Sequence, residues 1–210
     1  MKLEVLNING SAAGRSVDLP EDIFGLEPND HAIYLAVKAY NAHQRQGTHK
    51  AKEKGEITGS TRKIKKQKGT GTARAGSIKS GVFRGGGRMF GPRPRTYTVN
   101  LNKKVKRLAR ASALSYKANS GNIKVVQDFT FDNPKTKEMI NVISSLELAD
   151  KKAVFVTGDY DKNLLLSTRN IPRTSMINAK DLNTYDIMNA NTLVIAESAI
   201  EKIKETFNNK

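Results

Sequence analysis

The sequence predicts an α/β fold: a mostly parallel sheet with helices on both faces, an N-terminal hairpin, and a long basic extended loop inserted between two helices. Three observations lead there. After Gly121, short apolar runs alternate with segments of helical period, the pattern of βαβ crossovers in a parallel sheet covered on both sides. Near the N-terminus, two strand-like runs flank the turn-rich link Asn9-Gly10-Ser11-Ala12-Ala13-Gly14. Between these parts, residues 45–95 show neither period and collect charge and glycine instead. Residues 1–210 are therefore read as one globular α/β domain, with 45–95 as an insertion.

Residues 3–8 and 16–19 are the expected hairpin arms. Asp30 is a plausible N-cap for a helix in which Ile33, Val37 and Tyr40 recur at helical spacing, ending near Gln46 with Gly47 as its stop. A second helix over 103–118 turns Val105, Leu108, Ala111, Leu114 and Ala118 to the core and sets Lys103, Arg107, Arg110 and Lys117 along another face. Strands are expected at 123–127, Ala153–Thr157, 175–178 and Thr192–Ala196. Helices are expected from Pro134, with Met139, Ile140, Ile143 and Leu146 inward, and over 161–169. Ser198 is expected to cap the last helix, with Glu201 completing a capping box and Ile200, Ile203 and Phe207 inward.

The formal net charge is +16, and the insertion holds most of it. Its basic residues are Arg45, Lys50, Lys52, Lys54, Arg62, Lys63, Lys65, Lys66, Lys68, Arg74, Lys79, Arg84, Arg88, Arg93 and Arg95, fifteen against only Glu53 and Glu56, hence +13. The rest of the chain carries twenty-one basic and eighteen acidic residues. Eleven of the sixteen glycines also fall in the insertion. Apolar side chains are few there, so the segment cannot bury enough surface to order itself. Its charge points to a polyanionic partner, because each cation that meets a phosphate releases condensed counterions. Glycine lets the backbone approach RNA closely. The segment reads as an RNA-binding loop.

The chain has no cysteine, which excludes a disulfide framework and thiolate metal sites and fits a reducing compartment. It opens on Met1-Lys2-Leu3-Glu4 without an apolar signal core, and no run reaches the roughly 18 apolar residues of a membrane span. The expectation is a cytoplasmic protein with no membrane partner.

Several motifs compete with the RNA reading. Gly69-Thr70-Gly71-Thr72-Ala73-Arg74-Ala75-Gly76 looks like a nucleotide loop, but its third glycine falls too late for G-x-G-x-x-G and no Gly-Lys-Ser/Thr follows. Asp159 and Asp161, after the strand Ala153–Thr157, sit where α/β phosphohydrolases place paired acids, yet Asp161 is equally placed to cap the next helix, and no catalytic residue is assigned. His43 and His49 lack ligands to complete a metal shell, so phosphate or base contact is the better reading, and no cofactor is expected. Phe83 and Phe90, interleaved with Arg84, Arg88 and Arg93, either stack on bases or pin the loop to the body.

Arg45-Gln46-Gly47-Thr48, Thr58-Gly59-Ser60, Gln67-Lys68-Gly69-Thr70-Gly71, Ala73-Arg74-Ala75-Gly76-Ser77 and Phe83-Arg84-Gly85-Gly86 together resemble the bacterial large-subunit ribosomal protein four family. The likeness continues through Asn102-Lys103-Lys104, Pro134-Lys135-Thr136-Lys137, residues 157–164, Arg169-Asn170 and Tyr185-Asp186-Ile187-Met188, covering nearly the whole chain. The resemblance implies a structural protein that binds large-subunit (23S) ribosomal RNA early in assembly. Its body would lie on the subunit exterior, and its loop would line part of the peptide exit tunnel beside another tunnel protein and the passing nascent peptide. It adds Gln46 and Thr48 to the RNA-binding residues, beside His49, the insertion's cations and Lys103, Arg107 and Arg110. It places the tunnel-lining tip at Lys63, Ile64, Lys65, Lys66, Gln67, Lys68, Gly69, Thr70, Gly71, Thr72 and Arg74. Two departures stand out: Ile64-Lys65 where the family commonly has Pro-Trp, and Thr72 where an arginine usually follows Gly-Thr-Gly.

Overall fold

A computed structural model describes residues 1–208. They fall into two compact units: a body made of Met1–Asn41 and the chain from Asn100 onward, and an excursion, Ala42–Val99.

In the body, β1 (Lys2–Leu6) and β2 (Ala12–Asp18) pair antiparallel, with Lys2 opposite Asp18 and Leu6 opposite Ala12. The turn is tighter than the composition of residues 9–14 suggests. The Asn7 amide donates to the Ser11 carbonyl at 2.8 Å, so Ala12, Ala13 and Gly14 already belong to β2. The register shifts between Glu4 and Leu6, and Gly14 at φ 70° lies in the extra length this gives β2, a bulge in which only glycine is unstrained.

Two short helices escaped the sequence reading because one or two turns carry no legible period. Helix α1 (Glu21–Phe24) follows Pro20 and buries Ile23 and Phe24. Helix α2 (Asp30–His43) begins one residue after its true cap: the Asn29 side-chain oxygen accepts from the Ala32 amide at 2.9 Å, so Asn29 and not Asp30 does the capping. It ends at His43, short of Gln46, so Gly47 does not terminate it.

Helix α3 (Lys103–Asn119) packs by small residues. Ala109, Ala111, Ala113, Leu114 and Ala118 are buried, whereas Leu108, expected inward, is 42% exposed and Val105 is half-buried. Alanine and serine allow close approach to α1: the Ser115 hydroxyl donates to the Ile23 carbonyl at 3.0 Å and accepts from the Leu26 amide at 3.1 Å. Lys117 is likewise inside, 7% exposed, with its ammonium donating to the Ala190 carbonyl at 2.6 Å; burial holds its pKa below the ordinary lysine value. It is not part of a cationic surface.

The alternating half follows expectation closely: β3 (Ile123–Val126), α4 (Thr136–Ser145), β4 (Ala153–Thr157), α5 (Lys162–Arg169), β5 (Thr174–Asn178), the unexpected α6 (Thr184–Asn189), β6 (Thr192–Ala196) and α7 (Glu197–Asn208). The six strands lie in the order β2-β1-β3-β6-β4-β5, all pairs parallel except β1 with β2. Because successive strand residues point to opposite faces, the sheet feeds two cores. Val125, Val154, Val156, Leu193 and Ile195 meet Leu114, Ile187, Ile200 and Ile203 on one face. Val126, Ala153, Phe155 and Val194 meet Met139, Val142, Ile143 and Leu146 on the other. Ile140, expected inward on α4, is 48% exposed. Among the described residues, no helix is long and apolar enough to cross a membrane.

The last helix corrects one expected cap. Helix α7 begins at Glu197, directly after β6, leaving no loop residue for Ser198 to occupy as N-cap. The cap comes from the neighbouring strand: the Asp128 carboxylate, just past β3, accepts from the Ser198 amide at 3.1 Å and from its hydroxyl at 2.6 Å. Asp128→Ala removes both acceptors and should cost about 1 kcal/mol of stability, read as a lower urea midpoint with an unchanged slope. An unchanged midpoint would deny Asp128 that role.

Candidate nucleic-acid interface

Residues 42–99 build a two-armed excursion with almost no regular structure, held by backbone bonds between its outgoing and returning arms. The Arg95 amide donates to Gly47 at 3.2 Å, Ala51 to Pro92 at 3.0 Å, Arg88 to Lys52 at 2.9 Å and Ile64 to Gly76 at 3.0 Å, the last beside an antiparallel bridge of Lys63 with Ser77. These bonds define a neck, a stem and a tip beyond Ile64. Two glycines make the close approaches possible. Gly47 has φ 66°, and a Cβ there would lie 1.9 Å from the Arg95 carbonyl oxygen and 3.0 Å from the Tyr97 ring. Gly87 is the one buried residue of the excursion, and a Cβ there would lie 2.3 Å from the Lys54 amide nitrogen.

The arms present their charge outward. Of the fifteen basic residues from Arg45 to Arg95, all are exposed except Lys79, which is half-buried. Both acids are engaged within the excursion: Glu53 pairs with Arg93 across the arms, and Glu56 pairs with Lys50. The hydrogen bond from Lys50, and next the Glu53 amide, hold the Glu56 carboxyl below its usual pKa. Among the described residues, no other cation of the excursion has a paired carboxylate. At the tip, Lys65 donates to the Thr72 hydroxyl at 2.8 Å and Lys63 donates to Gln67. An open hollow of about 490 Å³ lies there, lined by Arg62, Lys63, Lys65 and Lys66 with Ser60, Ile64 and Ile78. Gln46, Thr48, Lys68, Gly69, Thr70, Gly71 and Arg74 are all exposed, while Phe90 is fully exposed at φ 54° and so pins nothing.

The neck contains a feature with no signal in the local sequence. The guanidiniums of Arg45 and Arg95 both lie over the Tyr97 ring, at 3.9 and 4.9 Å from its centroid, and a 2.9 Å hydrogen bond joins the Tyr97 hydroxyl to His49 Nε2. Hydrogen bonding from Arg95 lowers the Tyr97 pKa first; desolvation opposes this, and the charges of Arg95 and Arg45 lower it further. Residues 45 and 97 are neighbours only because the arms close, and no spacing rule announces that.

The remaining expected site residues separate. On α3, Lys103 is exposed and Arg107 half-buried. Arg110 is committed to the body: its guanidinium donates to the Thr206 hydroxyl at 3.0 Å and to the carbonyls of Leu182 and Thr206 at 3.4 Å, over the Phe207 ring at 4.3 Å. Burial lowers its pKa, and Arg107 adds to the effect. The paired-acid reading of the β4 end fails on geometry. Asp161 caps α5 by accepting from the Asn163 and Leu164 amides at 2.8 and 3.3 Å, while exposed Asp159 pairs with Lys202 at 2.5 Å.

These observations define a class: a structural α/β scaffold that presents a cationic ribbon rather than a catalytic pocket. The family profile described as ribosomal protein L4/L1 matches residues 17–206, and the chain belongs to that family. It is similar to the large ribosomal subunit protein uL4 of Flavobacterium psychrophilum, 60% identical over 205 residues and 98% of each chain. It is also similar to the proteins of the same name from Amoebophilus asiaticus, 56% identical over 209 residues and the whole of both chains, and Cytophaga hutchinsonii, 53% identical over 208 residues, 99% of this chain and 100% of that one. The family resemblance carried by the glycine-rich motifs is thereby confirmed, and the family is one of structural ribosomal proteins, not enzymes.

The neck geometry generates a prediction. Gly47→Ala places a methyl group against the Arg95 carbonyl and should break the neck bond, so amide exchange at Arg95 should accelerate by about tenfold or more while the thermal midpoint of the body stays within about 2 °C. Unchanged exchange would show that the neck is not closed through Gly47.

Proposed function

We propose that this chain is a structural constituent of the large ribosomal subunit that binds 23S ribosomal RNA early in assembly, with its excursion threaded among RNA strands to line part of the peptide exit tunnel. The carrying observation is the segregation of charge: fourteen exposed cations and one half-buried lysine on two cross-bonded arms, against a body that is nearly balanced. A two-armed ribbon with few apolar side chains suits the spaces between RNA helices, and its glycines let the main chain follow the phosphates. Lys63, Lys65, Lys66, Lys68 and Arg74 lie along the tip, which we assign to the tunnel wall beside another tunnel protein and the nascent peptide. Ile64-Lys65 and Thr72 give this tip a lysine in place of the family's common tryptophan and remove one arginine. The cytoplasmic ribosome is the corresponding location.

In this mechanism phosphate contacts dominate affinity. The excursion meeting about six to ten phosphates should lose about three to five decades of affinity for a 23S ribosomal RNA fragment between 50 and 200 mM salt. It should also discriminate that fragment from random RNA of equal length, and the protein should stay with large subunits through a high-salt wash. A nearly flat salt dependence rejects phosphate-led binding, and indifference between the two RNAs reduces the chain to a general polyanion binder.

A further inference from the structure

The neck of the excursion brings together charges that a free protein has no internal reason to gather. Arg45 comes from the outgoing arm and Arg95 from the returning one, and both guanidiniums rest on the Tyr97 ring, at 3.9 and 4.9 Å. Like charges repel, so the ring must hold them, and the face of a tyrosine attracts cations through its quadrupole. Among the described residues, no carboxylate pairs with either arginine; the excursion's own acids are engaged by Arg93 and Lys50. His49 lies beside them, its Nε2 2.9 Å from the Tyr97 hydroxyl. The arrangement is also fixed from the backbone. Gly47 and Arg95 are bonded across the arms, and Gly47 leaves only enough room for the Tyr97 ring to lie against it.

Two exposed guanidiniums offer planar forks of N–H donors, held in place before any partner arrives, and the ligand that fits such donors without a competing carboxylate is a phosphate. We propose that Arg45 and Arg95, with His49 beside them, form a clamp for an RNA backbone phosphate at the neck, and that Tyr97 is its positioning residue. This rests on the RNA-binding reading above and adds to it. Among the described residues no aromatic ring holds the tip cations, whereas the neck is a pre-arranged site whose performance depends on an uncharged side chain.

The difference is measurable, because a positioning residue changes phosphate binding without changing charge. The experiment is a titration of the full-length protein with a 23S ribosomal RNA fragment at several salt concentrations, comparing wild type, Tyr97→Leu, Tyr97→Phe, Arg45→Ala/Arg95→Ala and the triple variant that combines the last with Tyr97→Leu. Tyr97→Leu should weaken binding about tenfold at low salt and make the log–log salt slope shallower by about one, the share of one or two phosphate contacts. Tyr97→Phe keeps the ring under both guanidiniums and loses the hydroxyl's bonds to His49 and Arg95, so it should remain within about threefold of wild type with an unchanged slope. Tyr97→Leu added to the double arginine variant should do nothing further, since its effect runs through those two side chains. Wild-type affinity and slope in Tyr97→Leu overturn the clamp, as does a loss in Tyr97→Phe equal to that in Tyr97→Leu. If wild type itself fails to bind the fragment, the broader RNA reading fails instead, which distinguishes the two outcomes.

Discussion

Thirteen net positive charges on fifty-one residues cannot be taken into an apolar interior, because each unpaired ion would lose several kcal/mol of hydration with no partner to offset it. That constraint divides the molecule. The body closes its two cores with strand residues such as Val125, Phe155 and Ile195 and helix residues such as Leu114, Met139 and Ile203. The excursion is left with backbone bonds and a few ion pairs, Glu53 with Arg93 and Glu56 with Lys50, as its cross-links. Exposed pairs of this kind contribute little, so the shape of the ribbon depends on where glycine lets the arms touch.

The same division explains why two cations of the body, buried Lys117 and half-buried Arg110, are turned inward. Lys117 and Arg110 both lie on α3, yet their charged ends donate to the carbonyls and hydroxyl of Ala190, Leu182 and Thr206 and tie the central helix to α6 and α7. They serve the fold by satisfying acceptors, among them Ala190 and Thr206 at the C-terminal ends of α6 and α7, where the last carbonyls have no partner of their own. Removing either would leave acceptors unsatisfied.

Much of the fold was legible because period and punctuation agree in the second half of the chain. Ala153–Thr157 and Thr192–Ala196 are continuous apolar runs of strand length, and Asp161 caps its helix as its position suggested. What could not be read has a physical pattern of its own. Helices α1 and α6 are too short to show a period. Leu108 and Ile140 satisfy a helical spacing but fall at the edge of the buried stripe, because α3 packs through alanine and serine and α4 through Met139, Val142 and Ile143. The cap of α7 comes from Asp128, seventy residues away, and the Arg45–Tyr97–Arg95 cluster depends on the meeting of two arms. The candidate site was visible as charge, since charge is additive along a sequence. Its arrangement was not, since geometry depends on the closed neck.

The direct test of this division replaces residues 55–87, which carry eight basic residues against Glu56 alone, with a short glycine-serine bridge. Thermal unfolding of the shortened protein is compared with its affinity for the 23S ribosomal RNA fragment. A body complete in itself predicts a thermal midpoint within about 2 °C of wild type, because loop closure changes by only about 0.6 kcal/mol per doubling of length, together with at least a hundredfold loss of affinity at low salt as those phosphate contacts disappear. A variant that no longer folds, or one that folds and binds the RNA as tightly as wild type, contradicts it.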